Sequence, residues 1–284
     1  MNRYHVPRGT TIAIAFSALA AGAHGADWSD TSLGWRYGTK FAEPYGATDI
    51  HKNILSLTHV SGYKYGTNFF NADMLMSDSR DPGAGTTAGA QEVYVVYRNT
   101  IDLGKVSGKD LKTGWMRGAG LTVGFDLNSK NDSYASKKRM LVVGPTLMLD
   151  VPGFVNMSVL VLEESNAPAG VSRYSYKTHG AFEVDWGIPF GAGGVPLSFG
   201  GYALYIASKG TNEFGGPTAA ETHIDMALMA DVGALAGGPK STFKAGIGYE
   251  YWRNKFGNPT TAAGAGAGPG ATARTPMVRV EYHF

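Results

Sequence analysis

Apolar and polar residues alternate along most of this chain. In the segment 119–128, five apolar residues occupy every second position, and glycine, threonine, aspartate or asparagine occupies the others. A period of two places the apolar side chains on one face of a β-strand and the polar side chains on the opposite face. The pattern therefore predicts an all-β protein. The same alternation recurs at 155–162, 174–186, 223–232, 243–251 and 278–284.

The alternating segments predict twelve strands, each about ten residues long, as in tilted membrane strands. Connections between them alternate between long, polar segments and shorter turns that contain Pro-Gly or Gly-Gly. The turn at 102–114 is longer than the others of its class, and the Ala/Gly-rich stretch 260–273 is expected to be a loop without packing contacts. We place the strands at 31–40, 51–61, 67–77, 91–101, 115–127, 139–149, 154–164, 173–187, 197–207, 221–234, 241–254 and 274–284.

The alternation by itself fits both a soluble sandwich and a membrane barrel. The N-terminus helps to distinguish these two architectures. Arg3 and Arg8 precede a short apolar run over 11–23, and small residues follow up to Gly25. A basic start, a short apolar middle and a small-residue end are typical of a secretory signal peptide. The run is too short for a spanning helix, which needs about 20 residues. We predict a signal peptide at 1–25, cleaved after Gly25 or alternatively after Ala23, and one domain at 26–284.

The last predicted strand is the local segment that most clearly indicates a membrane barrel. Val278, Val280, Tyr282 and Phe284 alternate with charged or polar residues up to the final position. A closing strand that ends in phenylalanine resembles the signal recognised by the outer-membrane barrel assembly machinery. Together with the signal peptide, it favours a transmembrane antiparallel up-and-down β-barrel in the outer membrane, surrounded by lipid and lipopolysaccharide.

Composition excludes several other classes of function. The chain has no cysteine, so it forms neither disulfides nor Cys-ligated metal sites. Its net charge is +2, which gives no basic patch for nucleic acid. The histidines are scattered without chelating spacing, and no phosphate-binding or dinucleotide motif occurs. We therefore expect no metal, no cofactor and no nucleic-acid partner.

Charged residues fall on the strand face that would line the barrel interior. Eight-stranded barrels are filled by side chains and sixteen-stranded barrels are open, so about twelve strands predict a narrow lumen. Two interpretations remain open: the charges pair across the lumen to hold its shape, or some of them contact a solute. The candidate solute-path residues are Arg36, Asp73, Glu92, Tyr94, Arg98 and Asp126, and the remaining predicted lumen residues are Phe69, Lys177, Glu183, Asp185, Asp225, Lys244, Glu250, Arg279 and Glu281.

Several strings resemble the nucleoside-specific channel-forming outer-membrane family, the Tsx-like group and related outer envelope proteins. The longest are Ser61-Gly62-Tyr63-Lys64-Tyr65-Gly66-Thr67-Asn68-Phe69-Phe70 and Gly89-Ala90-Gln91-Glu92-Val93-Tyr94-Val95-Val96-Tyr97-Arg98, and shorter ones lie at 37–44, 73–79, 137–145 and 151–154. The resemblance covers about residues 31–166 and the closing strand. It implies a twelve-stranded barrel with a narrow nucleoside channel, whose surface loops serve some members as phage or colicin receptors.

Two other functions compete with a channel. His59 and Ser61 resemble the His-x-Ser element of outer-membrane phospholipases, and residues two apart on a strand share a face. The pair is expected near the periplasmic end, away from the outer leaflet, and no third residue that would orient the histidine is identified, so we predict that the protein is not an enzyme. A surface receptor or adhesin with a plugged lumen remains the second alternative.

Overall fold

The part of the chain that the structure describes folds into thirteen antiparallel β-strands with short helical turns between some of them. The computed structural model describes residues 26–46, 48–260 and 268–284, so the predicted signal peptide lies outside the described residues. The strands are β1 (Ala26–Phe41), β2 (Ile50–Tyr63), β3 (Gly66–Ser77), β4 (Gln91–Asp102), β5 (Met116–Lys130), β6 (Arg139–Leu149), β7 (Phe154–Asn166), β8 (Tyr174–Ser175), β9 (His179–Ala192), β10 (Val195–Ile206), β11 (Glu221–Asp231), β12 (Phe243–Arg253) and β13 (Thr272–His283).

Twelve of these strands close into a barrel. Each of them pairs antiparallel with its neighbours, and the first and last strands join with Arg36 opposite Arg279. The two-residue β8 lies outside the ring and pairs only with the end of β7. Closure leaves no unpaired strand edge in the wall, which is the condition for a sheet to span a bilayer. The predicted architecture is confirmed.

The two faces of the wall differ in chemistry. Leu141, Val159 and Ile247 point outward and are 61–64% exposed, whereas Lys52 and Glu164 point inward and are at most 7% exposed. A soluble protein would cover the apolar face and expose the charges, but this protein does the reverse. The apolar belt therefore faces acyl chains, and the barrel is an outer-membrane protein. Phe284 ends the belt and is 68% exposed, and its recognition by the assembly machinery stays a prediction.

The ends of the barrel differ in their connections. The start of β1 at Ala26, the C-terminal Phe284 and the short turns lie at one end, which is the periplasmic end in barrels of this class. The two-residue turn Gly193–Gly194 between β9 and β10 has positive φ at both positions, as a type I′ hairpin requires. The long loops lie at the opposite, extracellular end, where the openings between them form the mouth of the barrel.

The predicted strand 173–187 is wrong in its first half. The chain leaves the wall as β8 and re-enters it as β9 at His179, so β9 extends through the residues predicted as a turn. Tyr176 and His179 are buried while Lys177 and Thr178 between them are exposed, so the alternation slips by one residue at this point. Lys177 therefore lies in an extracellular loop, and its predicted position on the lumen face is wrong.

Two connections differ from a plain loop. The long turn after β4 contains the helix α1 (Leu103–Ser107), which begins where the Asp102 side chain accepts hydrogen bonds from two backbone amides and ends at Gly108 with a positive φ. The stretch 260–273 packs at its C-terminal end, where Ala271 and Ala273 are fully buried, so the prediction of no packing contacts is wrong there. Within the described part of the chain, no helix has the length and hydropathy to cross a membrane.

Candidate functional site: the lumen and its extracellular mouth

The middle of the lumen holds a group of paired charges that joins strands from both sides of the closure. Arg36 on β1 forms an ion pair with Asp73 on β3 and lies 3.6 Å from Asp225 on β11. Arg279 on β13 donates to Asp225 at 2.5 Å. Since these side chains are about four-fifths buried or more, the pairs connect four strands through a low-dielectric interior.

A second group lies beside the first on β4, β5 and the loop before β6, since Tyr94 is in register with Asp73. The Arg98 guanidinium donates to the Asp126 carboxylate at 2.6 Å, and the Tyr94 hydroxyl donates to the other oxygen of the same carboxylate at 3.0 Å. The Lys138 ammonium donates to the Tyr94 hydroxyl at 3.2 Å. Asp126 is 5% exposed, so its charge depends on these two donors rather than on bulk water.

Two further carboxylates lie on β9 without a cationic partner. Glu183 and Asp185 point inward because they are in register with Ser158 and Asn156 on β7. Among the described residues, no basic nitrogen lies within 4.0 Å of either carboxylate. Asp185 accepts one hydrogen bond from the Asn156 amide at 2.8 Å. Both residues are only partly buried, so they retain access to the lumen.

All six candidate solute-path residues lie on the lumen face, in three places. Arg36 and Asp73 are in the first group, and Tyr94, Arg98 and Asp126 are in the second. Glu92 lies two residues from Tyr94, toward the extracellular end of β4. It is 7% exposed and accepts a hydrogen bond from the Asn128 amide. Their role in solute passage stays a prediction. The structure does bring five of them into two hydrogen-bonded groups.

The extracellular mouth contains a cluster that the sequence reasoning missed. The chain after β1 turns inward, and the Glu43 carboxylate accepts hydrogen bonds from Lys52 at 2.5 Å and from Lys255 at 3.2 Å. Lys130 lies 3.6 Å from the second carboxylate oxygen and 3.0 Å from Asp81. We call these five residues the Glu43 cluster. It ties β2, β5 and the three extracellular loops that follow β1, β3 and β12 together across the opening.

Burial and charge compete at Glu43. Burial by itself raises the pKa of its carboxyl group, but the ammonium groups of Lys255, Lys52 and Lys130 lower it more, so the net pKa lies well below its ordinary value. Glu43 is therefore ionised at neutral pH. The sequence predicts a polar surface loop between the strands at 31–40 and 51–61, and its one local signal of burial is the apolar pair Phe41-Ala42 before Glu43, each 2% exposed.

A similar cluster closes the other side of the mouth. Lys209, in the loop after β10, donates to Glu164 on β7 at 2.6 Å, and His179 lies 3.8 Å from the same carboxylate. The Lys209 ammonium also lies 4.2 Å from the Tyr176 ring centroid. All four side chains are buried. Buried, paired charges therefore lie at the extracellular mouth on this side as well.

One aromatic ring on the lumen face, toward the periplasmic end, is exposed. Phe69 shares the lumen face with Arg98, its partner across β3 and β4, and its ring is 38% exposed. An exposed aromatic ring on an inward face needs open space in front of it. Open space therefore lies in front of the Phe69 ring, whereas the side chains of the Glu43 cluster and of the Glu164 pairs at the extracellular mouth are buried.

The His59 and Ser61 pair does not have the geometry of a nucleophile and its base. The His59 ring bonds to the Thr31 hydroxyl at 2.8 Å, and the Ser61 hydroxyl accepts from the Asn68 amide at 3.5 Å. Both residues lie on the outward face near the periplasmic end of β2, as their register with β1 shows. A histidine held by a threonine lacks the carboxylate or amide that orients a catalytic base.

Comparison with known proteins finds solved structures whose architecture is similar to that of this chain. No protein-family model and no curated protein matches the chain. Among solved structures, a KdgM porin aligns with 89% of this chain and 99% of its own at 11% identity and a TM-score of 0.42. The translocator domain of the autotransporter NalP from Neisseria meningitidis aligns with 92% of this chain and 90% of its own at 12% identity and a TM-score of 0.41.

A third solved structure is the outer membrane protein opdK from Pseudomonas aeruginosa, with 92% of this chain and 99% of its own covered at 10% identity and a TM-score of 0.26. These values are too low to carry a function from one chain to another. The assignment to the outer membrane rests on the closed ring of strands, the outward apolar belt and the inward charges.

Proposed function

We propose that the barrel is a passive outer-membrane channel for small solutes, with nucleosides as the solute class. The observation that supports a channel most strongly is an interior built from paired arginines and aspartates rather than a packed apolar core, with the exposed Phe69 ring on the same lumen face. A barrel that served only as an anchor could fill its interior with apolar side chains, which avoids the desolvation of buried charge.

Nucleosides fit the chemistry of the lumen face around Phe69. A nucleobase has a flat apolar face and a polar edge, and recognition of such a solute combines a ring with a few placed polar groups. Phe69 offers an accessible ring on the lumen face, and Arg98 lies directly beside it on the neighbouring strand. The Tyr94 and Asp126 pair lies on β4 and β5, nearer the extracellular end, and offers further donors and acceptors.

Liposome swelling and planar-bilayer recording test this proposal. We expect swelling with nucleosides to exceed swelling with sugars of similar size, and adenosine or thymidine to block single-channel steps. Phe69→Ala is expected to weaken the block while steps persist, because the substitution removes a stacking surface and few buried contacts. Phe70→Ala is the matched control, since Phe70 lies on the outward face of the same strand. Equal block in both variants would exclude stacking at Phe69.

One observation favours the second candidate function, a surface receptor with a plugged lumen. The buried clusters at the extracellular mouth close the side from which a solute would enter. A permanently closed barrel would leave the loops as its only functional surface. Absence of swelling and of conductance in every solute, together with binding of a phage or colicin, would favour the receptor.

A further inference from the structure

The Glu43 cluster has the composition of an anion site occupied by a side chain of the same protein. Lys52, Lys130 and Lys255 come from three different parts of the chain and point at one carboxylate. The three ammonium-bearing side chains are 2–6% exposed, so they are held in place and desolvated before any external ligand arrives. Glu43 supplies the two oxygens that such a site requires.

The backbone around Glu43 is packed as closely as its side chain. The Ala42 carbonyl accepts a second hydrogen bond from Lys255 at 2.9 Å. Gly270 packs against the Glu43 carbonyl so closely that an added Cβ would lie 2.1 Å from the oxygen. The segment Ala42–Pro44 is therefore held across the mouth by its charge and by its fit, and moving it outward is one route to a wider opening.

The lysines differ in what they lose if Glu43 moves. Lys52 and Lys130 retain Asp81, at 3.8 and 3.0 Å respectively. Within the described ranges, Lys255 has Glu43 as its only carboxylate partner within 4.0 Å. A buried ammonium group that loses its partner is strongly unfavourable. Departure of Glu43 is therefore favoured only when another anion takes its place.

We propose that a small external anion bearing a carboxylate or phosphate competes with Glu43 for these three lysines and releases Ala42–Pro44 from the mouth. Its oxygens accept the hydrogen bonds that Lys52 and Lys255 now donate to Glu43 and lie near Lys130. A neutral solute offers no charge to replace the carboxylate and does not compete. The opening of the mouth rests on the proposed channel function, whereas the anion site does not.

Planar-bilayer recording of the full mature chain tests the coupling. Inorganic phosphate or acetate is added on the extracellular side, with chloride replaced to keep ionic strength constant. We expect the wild-type open probability to rise by about 5-fold or more. Glu43→Gln is expected to be open in chloride alone and insensitive to phosphate. Glu163→Gln is the matched control, because Glu163 lies on the outer face of β7. A Glu43→Gln channel that still opens only with phosphate would overturn the proposal, as would a wild-type channel that ignores both anions.

Thermal melting in detergent tests the site without conductance. Glu43→Ala removes the internal carboxylate, so phosphate or acetate is expected to raise its Tm by several degrees more than that of the wild type. Glu43→Gln serves if the alanine variant folds poorly. Equal anion effects on variant and wild type would refute the site. If no form of the protein conducts while the melting result holds, the channel proposal fails and the anion site stands.

Discussion

The lipid-facing assignment can be tested at one position, Ile247. This side chain is 63% exposed on the outward face of β12, between Leu228 on β11 and Val278 on β13. It lies four residues from the periplasmic start of the strand at Phe243. At 3.3 Å per residue and a tilt of about 40°, this distance is about 10 Å along the membrane normal. The apolar belt of such barrels is about 25 Å tall, so Ile247 is close to the bilayer midplane.

Replacing Ile247 by arginine should therefore destabilise the barrel by about 2–4 kcal/mol, the cost of a cation at this depth. Phe243→Arg is the control at the same face of the same strand, and near the interface it should cost about 0–1 kcal/mol. The free energies of unfolding are measured by denaturant titration in phospholipid vesicles. If the two variants lose equal stability, or if Ile247→Arg unfolds like the wild type, the outward face of β12 does not contact acyl chains.

Three other predictions concern the interior. Thr146→Val should destabilise the barrel by about 1–3 kcal/mol, because it removes the hydroxyl that now bonds the buried Thr122 and Ser158 hydroxyls at 2.5 and 2.8 Å. Denaturant titration measures the loss, and an unchanged midpoint would contradict this prediction. The double change Glu183→Gln and Asp185→Asn should shift the reversal potential in a KCl gradient toward anion selectivity, because it removes two lumen carboxylates that have no cationic partner within 4.0 Å among the described residues; an unchanged potential would mean that neither carboxylate faces the ion path. Since the pKa of Glu43 is lowered on folding, its ion pairs stabilise the protein above the unfolded pKa of about 4.3 and are lost as the pH falls through the folded value. The mouth should therefore stay closed from pH 7 to pH 5 and open only in stronger acid, and conductance that rises already at pH 5 would argue against this assignment.

Much of the wall is determined locally by the sequence. The strands at 139–149 and 91–101 were predicted to within a residue, because alternation of side chains on a pleated strand has a fixed period and depends on no distant contact. The same alternation placed Arg36, Asp73 and Asp126 on the inner face. The strand at 173–187 was mispredicted because Tyr174 and Tyr176 keep the period after the chain has left the wall. Only the pairing of Tyr174 with the end of β7 distinguishes the two courses.

The interior clusters are determined by the tertiary structure. Glu43, Lys130 and Lys255 are far apart in sequence, and their meeting depends on barrel closure and on the loops that fold inward over the mouth. Glu43 follows a strand end in a segment rich in turn residues, where a charged side chain ordinarily faces water. The local pattern determines which face of a strand a residue occupies, because successive side chains on a strand point to opposite faces. Which charges pair across the lumen depends on distances between strands that no local pattern contains.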